Sequence, residues 1–219
     1  MLSDSERLRL GPQAWLLRSL ATARATPLLT ALQKILALAP LRQMVTPGGR
    51  TMSVAMSNCG EVGWTSDSRG YRYSAIDPQN GLRWPAMPAE FLRLAQDAAT
   101  EAGFPDFSPD ACLINCYLPG TRLSLHQDRD ERDFNQPIVS ASFGLPAAFL
   151  FGGKTRSDRP KRVLLEHGDV VVWGGEDRLR FHGVMPIKEL AADLLAAHPW
   201  EEHELLRGRR INLTFRRAG

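Results

Sequence analysis

Apolar and polar residues alternate with a period of two through most of the second half of the chain. A helical period shows clearly in only two places. The run Arg210–Arg216 (RINLTFR) carries the strand pattern: Ile211, Leu213 and Phe215 fall on one side, Arg210, Asn212, Thr214 and Arg216 on the other. The apolar side suits a core. The other side holds two guanidinium groups and an amide. It is either the solvated face of an edge strand or a buried face that needs anionic partners. A small dianion would supply them through paired arginine–carboxylate bonds.

Ala111–Leu118 places Leu113, Asn115 and Tyr117 on one face, with Cys112, Ile114, Cys116 and Leu118 on the other. Strand-like runs follow at Arg122–Asp128, Ile138–Phe143, Ala147–Phe151, Arg162–Glu166, Asp169–Trp173 and Leu179–Gly183, parted by glycine, proline or charged turns. The helical stretches are Pro27–Ala39, where Leu28, Leu29, Leu32, Ile35 and Leu36 share a face, and Glu90–Ala102, with Phe91, Leu94, Ala95 and Ala98 aligned. Pro40 stops the first and Gly103 sits at the C-cap of the second. Ala14–Ala21 fits a strand entering a turn or a short helix, Ala191–Ala197 is ambiguous, and Pro199–Arg209 reads as a charged loop. Two helices followed by many short strands predict a mainly β fold with flanking helices, a sandwich or jelly roll with the helices against one outer face.

Between Met44 and Tyr73 the texture differs. A Thr46-Pro-Gly-Gly49 turn precedes an alternating run from Met52, and then Asn58, Gly60, Gly63, Trp64, Gly70, Tyr71, Arg72 and Tyr73 suggest a hairpin. Aromatic and basic residues there suit either stacking on a planar ligand or a covering hairpin whose tryptophan fills a local core. Ser74–Pro88 holds three prolines and Trp84, as a surface loop would.

Length and charge narrow the partners only a little. The 219 residues are enough for one domain with a full core, and a formal charge of +3 permits nucleic acid without demanding it. The absence of an 18-residue apolar run argues against a membrane span. With a mixed-charge N-terminus and cysteines at 59, 112 and 116 that suit reduced thiols, it predicts a cytoplasmic protein, and nothing suggests other than a monomer.

His126-Gln-Asp128 is the sharpest local feature. Residues two apart on an extended strand point the same way, so imidazole and carboxylate can share one ion. His182, at the end of a later apolar strand, would complete the two-histidine, one-carboxylate set that leaves positions open on Fe(II). The alternatives are a hydrogen-bonded core His126, a turn residue Asp128 and an ordinary strand-end His182. His167, His198 and His203 read as surface or loop residues. Zincin helices, zinc-spaced cysteine pairs, dinucleotide turns and Gly-x-Ser-x-Gly elbows are missing, and Gly153-Lys-Thr155 lacks the earlier glycine of a phosphate loop, since position 148 is alanine.

Six ordered motifs, RQMVTPGG (42–49), MSVAMSNCGEVGW (52–64), PDACLINCY (109–117), LSLHQDRDE (123–131), VLLEHGDVVVWGG (163–175) and RINLTFR (210–216), resemble the alkylated-DNA-repairing AlkB branch of the Fe(II)/2-oxoglutarate-dependent dioxygenases. The resemblance runs from about Leu41 to Ala218. It implies one dioxygenase domain over 1–219, with a double-stranded β-helix core at 109–218 and a nucleotide-recognition lid at 41–85. It implies Fe(II) on His126, Asp128 and His182, and O2 as co-reactant. Arg210, Asn115 and Tyr117 would hold the distal carboxylate of 2-oxoglutarate, with Arg216 and Asn212 near the carboxylate that chelates iron. Trp64 would stack on one face of a flipped base and His126 on the other, Asp130 would face its exocyclic nitrogen, Thr46 and Tyr71 would touch phosphate, and Arg156 would border the pocket. The implied reaction removes methyl groups from 1-methyladenine and 3-methylcytosine in single-stranded or locally unpaired DNA, and possibly RNA, giving formaldehyde, succinate and CO2. Other outcomes open at this point are a hydroxylase acting on RNA, protein or a small molecule, a jelly-roll binding module without catalysis, and a zinc-dependent hydrolase. The connection from His182 to Arg210, with Trp200-Glu-Glu-His203, is longer than the family pattern.

Overall fold

A computed structural model describes residues 6–191, 195 and 198–219. Strands β1 (Arg7–Gly11) and β2 (Ala14–Leu17) form a hairpin, which decides the reading of Ala14–Ala21 in favour of a strand. Helix α1 (Ala25–Leu38) follows, then β3 (Arg42–Val45), β4 (Thr51–Gly60), β5 (Gly63–Asp67), β6 (Gly70–Ser74) and α2 (Ala89–Glu101). The second half supplies β7 (Ala111–Tyr117), β8 (Leu123–His126), β9 (Ile138–Gly144), β10 (Ala147–Phe151), β11 (Lys161–Leu165), β12 (Val170–Trp173), β13 (His182–Val184) and β14 (Arg210–Arg216).

The strands make an eight-stranded sheet in the order β1-β2-β12-β9-β14-β7-β4-β3, a four-stranded sheet β11-β10-β13-β8, and the β5–β6 hairpin. Every named pairing is antiparallel. Each strand face has a definite destination because side chains alternate. Ile211, Leu213 and Phe215 of β14, with Cys112, Ile114 and Cys116 of β7, pack with Leu28, Leu32 and Ile35 of α1 and Phe91, Leu94 and Ala98 of α2 in one buried cluster. On the other side of the large sheet, Leu16, Ile138, Val171 and Trp173 meet Phe149, Phe151 and Leu165 of the small sheet. The result is three layers, helices on a large sheet on a small sheet, in a jelly-roll-like arrangement. Strand β14 lies between β9 and β7 and is buried along its whole length, so the edge-strand alternative is gone.

Two expectations change. The Leu179–Gly183 strand begins only at His182, so the histidine opens β13 rather than closing an apolar strand. A 3-10 turn at Gly175–Asp177 precedes it; the side chain of Arg178 donates to the Gln136 and Asp128 carbonyls and that of Arg180 to the Gly152 carbonyl, while Phe181 bonds through its backbone to Gly152 and Gly153. Secondly, the charged loop before β14 contains a 3-10 turn at Pro199–Glu202 and a fully buried Leu206. Most of the ambiguous Ala191–Ala197 stretch lies outside the described residues. The cysteines are free thiols, with Cys59 and Cys112 facing each other across β4 and β7. No described helix is long and apolar enough to cross a membrane.

Phe91 is fully buried and meets Phe215 edge to face at 5.9 Å, joining α2 to the centre of the large sheet. Phe91→Ala should destabilise the fold by about 3–5 kcal/mol, read as a lowered melting temperature. A loss below about 1 kcal/mol would show that α2 does not anchor the sheet.

Candidate active site

The polar face of β14 points between the two sheets. There Arg210, Asn212, Thr214 and Arg216 line a cavity of about 570 Å³, and all thirteen residues singled out from the sequence border it. Tyr117 is the cross-strand partner of Arg210, and Asn115 that of Asn212, so these four side chains form one patch of the large sheet.

Across the cavity, the small sheet brings the two histidines together. His126 ends β8, His182 begins β13, and the two are register partners with ring centroids 4.4 Å apart. Gly183 makes this approach possible, because a Cβ there would lie 2.7 Å from the Leu123 carbonyl oxygen. Asp128, two residues beyond His126, places Oδ1 3.5 Å from His126 Nε2 and Oδ2 3.7 Å from His182 Nε2. One ligand atom from each residue lies within 4.8 Å of the others.

Both rings are held the same way. The Nδ1 of His126 lies 2.8 Å from the Ser124 carbonyl and that of His182 lies 3.1 Å from the Arg180 carbonyl, each two residues back. A carbonyl can only accept, so Nδ1 carries a proton and Nε2 is the nitrogen left to face Asp128 and to ligate an ion. Two imidazole nitrogens and a buried carboxylate, converging within 4.8 Å, fit a divalent ion with open positions.

The two arginines of β14 have different partners. Arg216 donates from Nε and Nη2 to Asp128 Oδ2 at 2.9 and 2.7 Å, and its Nε lies 3.3 Å from Glu131 Oε1. Arg210 is fully buried and donates only to the Leu145 carbonyl and the Ser142 hydroxyl, leaving Nε without a partner. Among the described residues, no carboxylate reaches it. A buried guanidinium without an anion is costly, so an exogenous carboxylate fits here. Asn115 Oδ1 beside it is likewise unpartnered. Asn212, by contrast, is committed: Nδ2 donates to Ser140 Oγ and the Ala141 carbonyl, and Oδ1 accepts from Thr214.

Comparison with known proteins agrees. Residues 13–216 match the family model of the 2OG-Fe(II) oxygenase superfamily. The chain belongs to that superfamily. It is 57% identical to the alpha-ketoglutarate-dependent dioxygenase AlkB of Escherichia coli K12 over 206 residues, covering 94% of this chain and 90% of that one. The Salmonella typhimurium dioxygenase AlkB is 52% identical, with 95% and 92% covered. The solved structure of OsALKBH1 superposes with a TM-score of 0.82 at 31% identity, covering 96% of this chain and 99% of that one. With its His-Asp-His triad, this oxygenase is an Fe(II)/2-oxoglutarate-dependent dioxygenase closely related to the AlkB-family enzymes.

The β5–β6 hairpin of the oxygenase lines the same cavity as the triad. Trp64 and Tyr71 stack at 5.5 Å and 13°, and Trp64 Nε1 donates to Asp130 Oδ2 at 2.8 Å. Asn58 fixes Trp64 from behind by bonding both its backbone N–H and its carbonyl. Thr46, in the β3–β4 turn, accepts at Oγ1 from the Arg50 N–H, and Arg156 lies over the Phe181 ring. Sequence reasoning missed Tyr73, Glu131 and Arg178. Tyr73 donates to Glu131 Oε1 at 2.6 Å, and Arg178 Nη2 to Glu131 Oε2 at 3.1 Å. Glu131 sits in the charged run 128–133, which reads as a solvated turn, and only its burial distinguishes it.

Electrostatics keep the triad ready for a cation. Burial alone would raise the Asp128 carboxyl, but the Arg216 guanidinium and then the two histidines hold it well below the usual carboxylate range. Burial works against charge on His126 too, yet its bond and attraction to Asp128 raise it. Burial and the neighbouring His126 push His182 down to about 4. Burial lowers Arg210 to about 10 and pushes Tyr117 up to about 12.

In the unfolded chain a histidine titrates near 6.5, so between about pH 6.5 and 4 the unfolded state takes up a proton that folded His182 refuses. Its contribution to stability is therefore intact above about pH 6.5 and lost as pH falls through that window. Metal-free His182→Gln should show a smaller fall in melting temperature than wild type between pH 6.5 and 4.5. Equal slopes would contradict the assignment.

Proposed function

We propose that this dioxygenase oxidatively demethylates N-alkylated nucleobases, 1-methyladenine and 3-methylcytosine, in single-stranded or locally unpaired DNA, and in RNA where such a base is presented. The observation that supports this reading is that Trp64 and Asp130, bonded to each other, line the same cavity as the His126–Asp128–His182 triad. An aromatic platform and a carboxylate suit a flat, cationic base, whose charge strengthens both contacts. Methylation that blocks the pairing edge lowers the cost of extruding the base.

In this reading His126, Asp128 and His182 hold Fe(II). Arg210, with Asn115 and Tyr117, receives the distal carboxylate of 2-oxoglutarate, which gives the unpaired guanidinium its anion. Arg216 would lie near the other carboxylate of the cosubstrate, and Asn212, tied to Ser140 and Thr214, keeps that face in order. The bound iron and 2-oxoglutarate, with O2, supply the oxidising power that turns the N-methyl group into an N-hydroxymethyl group, with succinate and CO2 as coproducts. Loss of formaldehyde then leaves the unmodified base. The protein's own contribution is orientation: Trp64 and His126 hold the ring from its two sides, Asp130 accepts from the exocyclic amine, and Thr46, Tyr71 and Arg156 border the strand's path. The 109–218 segment serves as a double-stranded β-helix core and 41–85 as the lid, and the three free thiols suit a reducing cytoplasm.

The decisive experiment measures succinate and formaldehyde with Fe(II), 2-oxoglutarate and O2, comparing single-stranded DNA that contains 1-methyladenine with the same unmethylated strand. Methyl-dependent succinate with matching formaldehyde is expected; succinate release indifferent to the oligonucleotide would refute the substrate assignment. Asp128→Ala should abolish succinate release under both conditions. Trp64→Ala should weaken turnover of the methylated strand far more than uncoupled 2-oxoglutarate decay, and equal loss of both would remove its stacking role.

A further inference from the structure

Beneath the hairpin, two guanidinium groups and two carboxylates form a closed, nearly dry quartet. The side chains of Arg178 and Glu131 are 3% and 2% exposed, those of Arg216 and Asp128 7% and 8%. Formal charge within the quartet sums to zero. Arg178 joins both halves, donating from Nη1 to the Asp128 carbonyl at 2.8 Å and from Nη2 to Glu131 Oε2 at 3.1 Å. Arg216 Nε donates to Asp128 Oδ2 at 2.9 Å and lies at ion-pair distance, 3.3 Å, from Glu131 Oε1. Glu131 thus competes with a candidate metal ligand for the same guanidinium. Its Oε1 also takes the Tyr73 hydroxyl, and Trp64, the register partner of Tyr73, is bonded to the adjacent Asp130.

We propose that Glu131 is a positioning residue that tunes the metal site through Arg216. By drawing off part of the Arg216 charge and neutralising Arg178, it leaves Asp128 enough negative charge to bind a divalent cation. Without the Glu131 charge, two buried guanidinium groups would act on Asp128 alone, one on its carboxylate and one on its carbonyl. The carboxylate would then be held as an arginine partner rather than released to the metal. This inference rests on the metal-binding role proposed for Asp128, not on the nucleobase substrate. A role confined to packing, or to tethering the hairpin through Tyr73, predicts something different, because glutamine keeps the shape and its one carbonyl oxygen still accepts from the Tyr73 hydroxyl.

The test is an anaerobic titration of the metal-free full chain with Co(II), followed by visible absorption, with no cosubstrate or oligonucleotide present. Glu131→Gln should weaken Co(II) binding about ten-fold. Glu131→Asp, which keeps the charge, should stay within about three-fold of wild type, and Tyr73→Phe should not differ from wild type. Wild-type affinity in Glu131→Gln overturns the proposal, as does a loss in Tyr73→Phe equal to that in Glu131→Gln. If Glu131→Gln does not fold, Glu131→Asp decides alone, and a ten-fold loss there overturns the idea. Absence of Co(II) bands in wild type would remove the metal reading itself, whereas bands of equal affinity in wild type and Glu131→Gln would remove only the role of Glu131.

Discussion

Burial of β14 on both faces is the constraint from which the site follows. A strand at the centre of an eight-stranded sheet cannot send either set of side chains to water. One set meets the helices and is apolar. The other meets the small sheet, and there the chain places two arginines, an asparagine and a threonine. Charged groups in that position must be answered by anions, hydrogen bonds or both. Arg216 is answered from within by Asp128 and Glu131, while Arg210 is left with two neutral acceptors and an Nε that has no partner. The asymmetry ties one end of the strand to the His-Asp-His cluster and leaves a guanidinium without an anion at the other.

Much of this was legible in the chain because period-two alternation is local. The faces of β7 and β14 could be read directly, and so could both helices, Pro40 and Gly103 marking their ends. The His126–Asp128 pair was visible for the same reason, since two residues on a strand share a face. What alternation cannot convey is which distant segments meet. His182 was placed at the wrong end of its strand because Leu179 and Phe181 look like strand residues. The side-chain bonds that fix Arg178 and Arg180 span up to fifty residues.

Glu131 illustrates the limit more sharply. In sequence it is one of six charged residues in succession, and such a run usually faces water. In the fold, Tyr73 and Arg178, each more than forty residues away, converge on it and make it one of the driest carboxylates in the molecule. Nothing in the run itself separates it from Asp133. Arg210 was singled out only because its strand demanded an explanation, and its unsatisfied Nε is visible only with Leu145 and Ser142 in place.

The pairing of His126 with His182 across β8 and β13 has a consequence for how faithfully the site can be built. The gap between two metal ligands is set here by the spacing of hydrogen-bonded strands, a length that every sheet reproduces without help from the ion. A register slip of one residue would turn one imidazole to the opposite face. No partly formed site lies between correct and slipped pairing, so the backbone ladder acts as a proofreading gauge for a centre whose chemistry tolerates little misplacement.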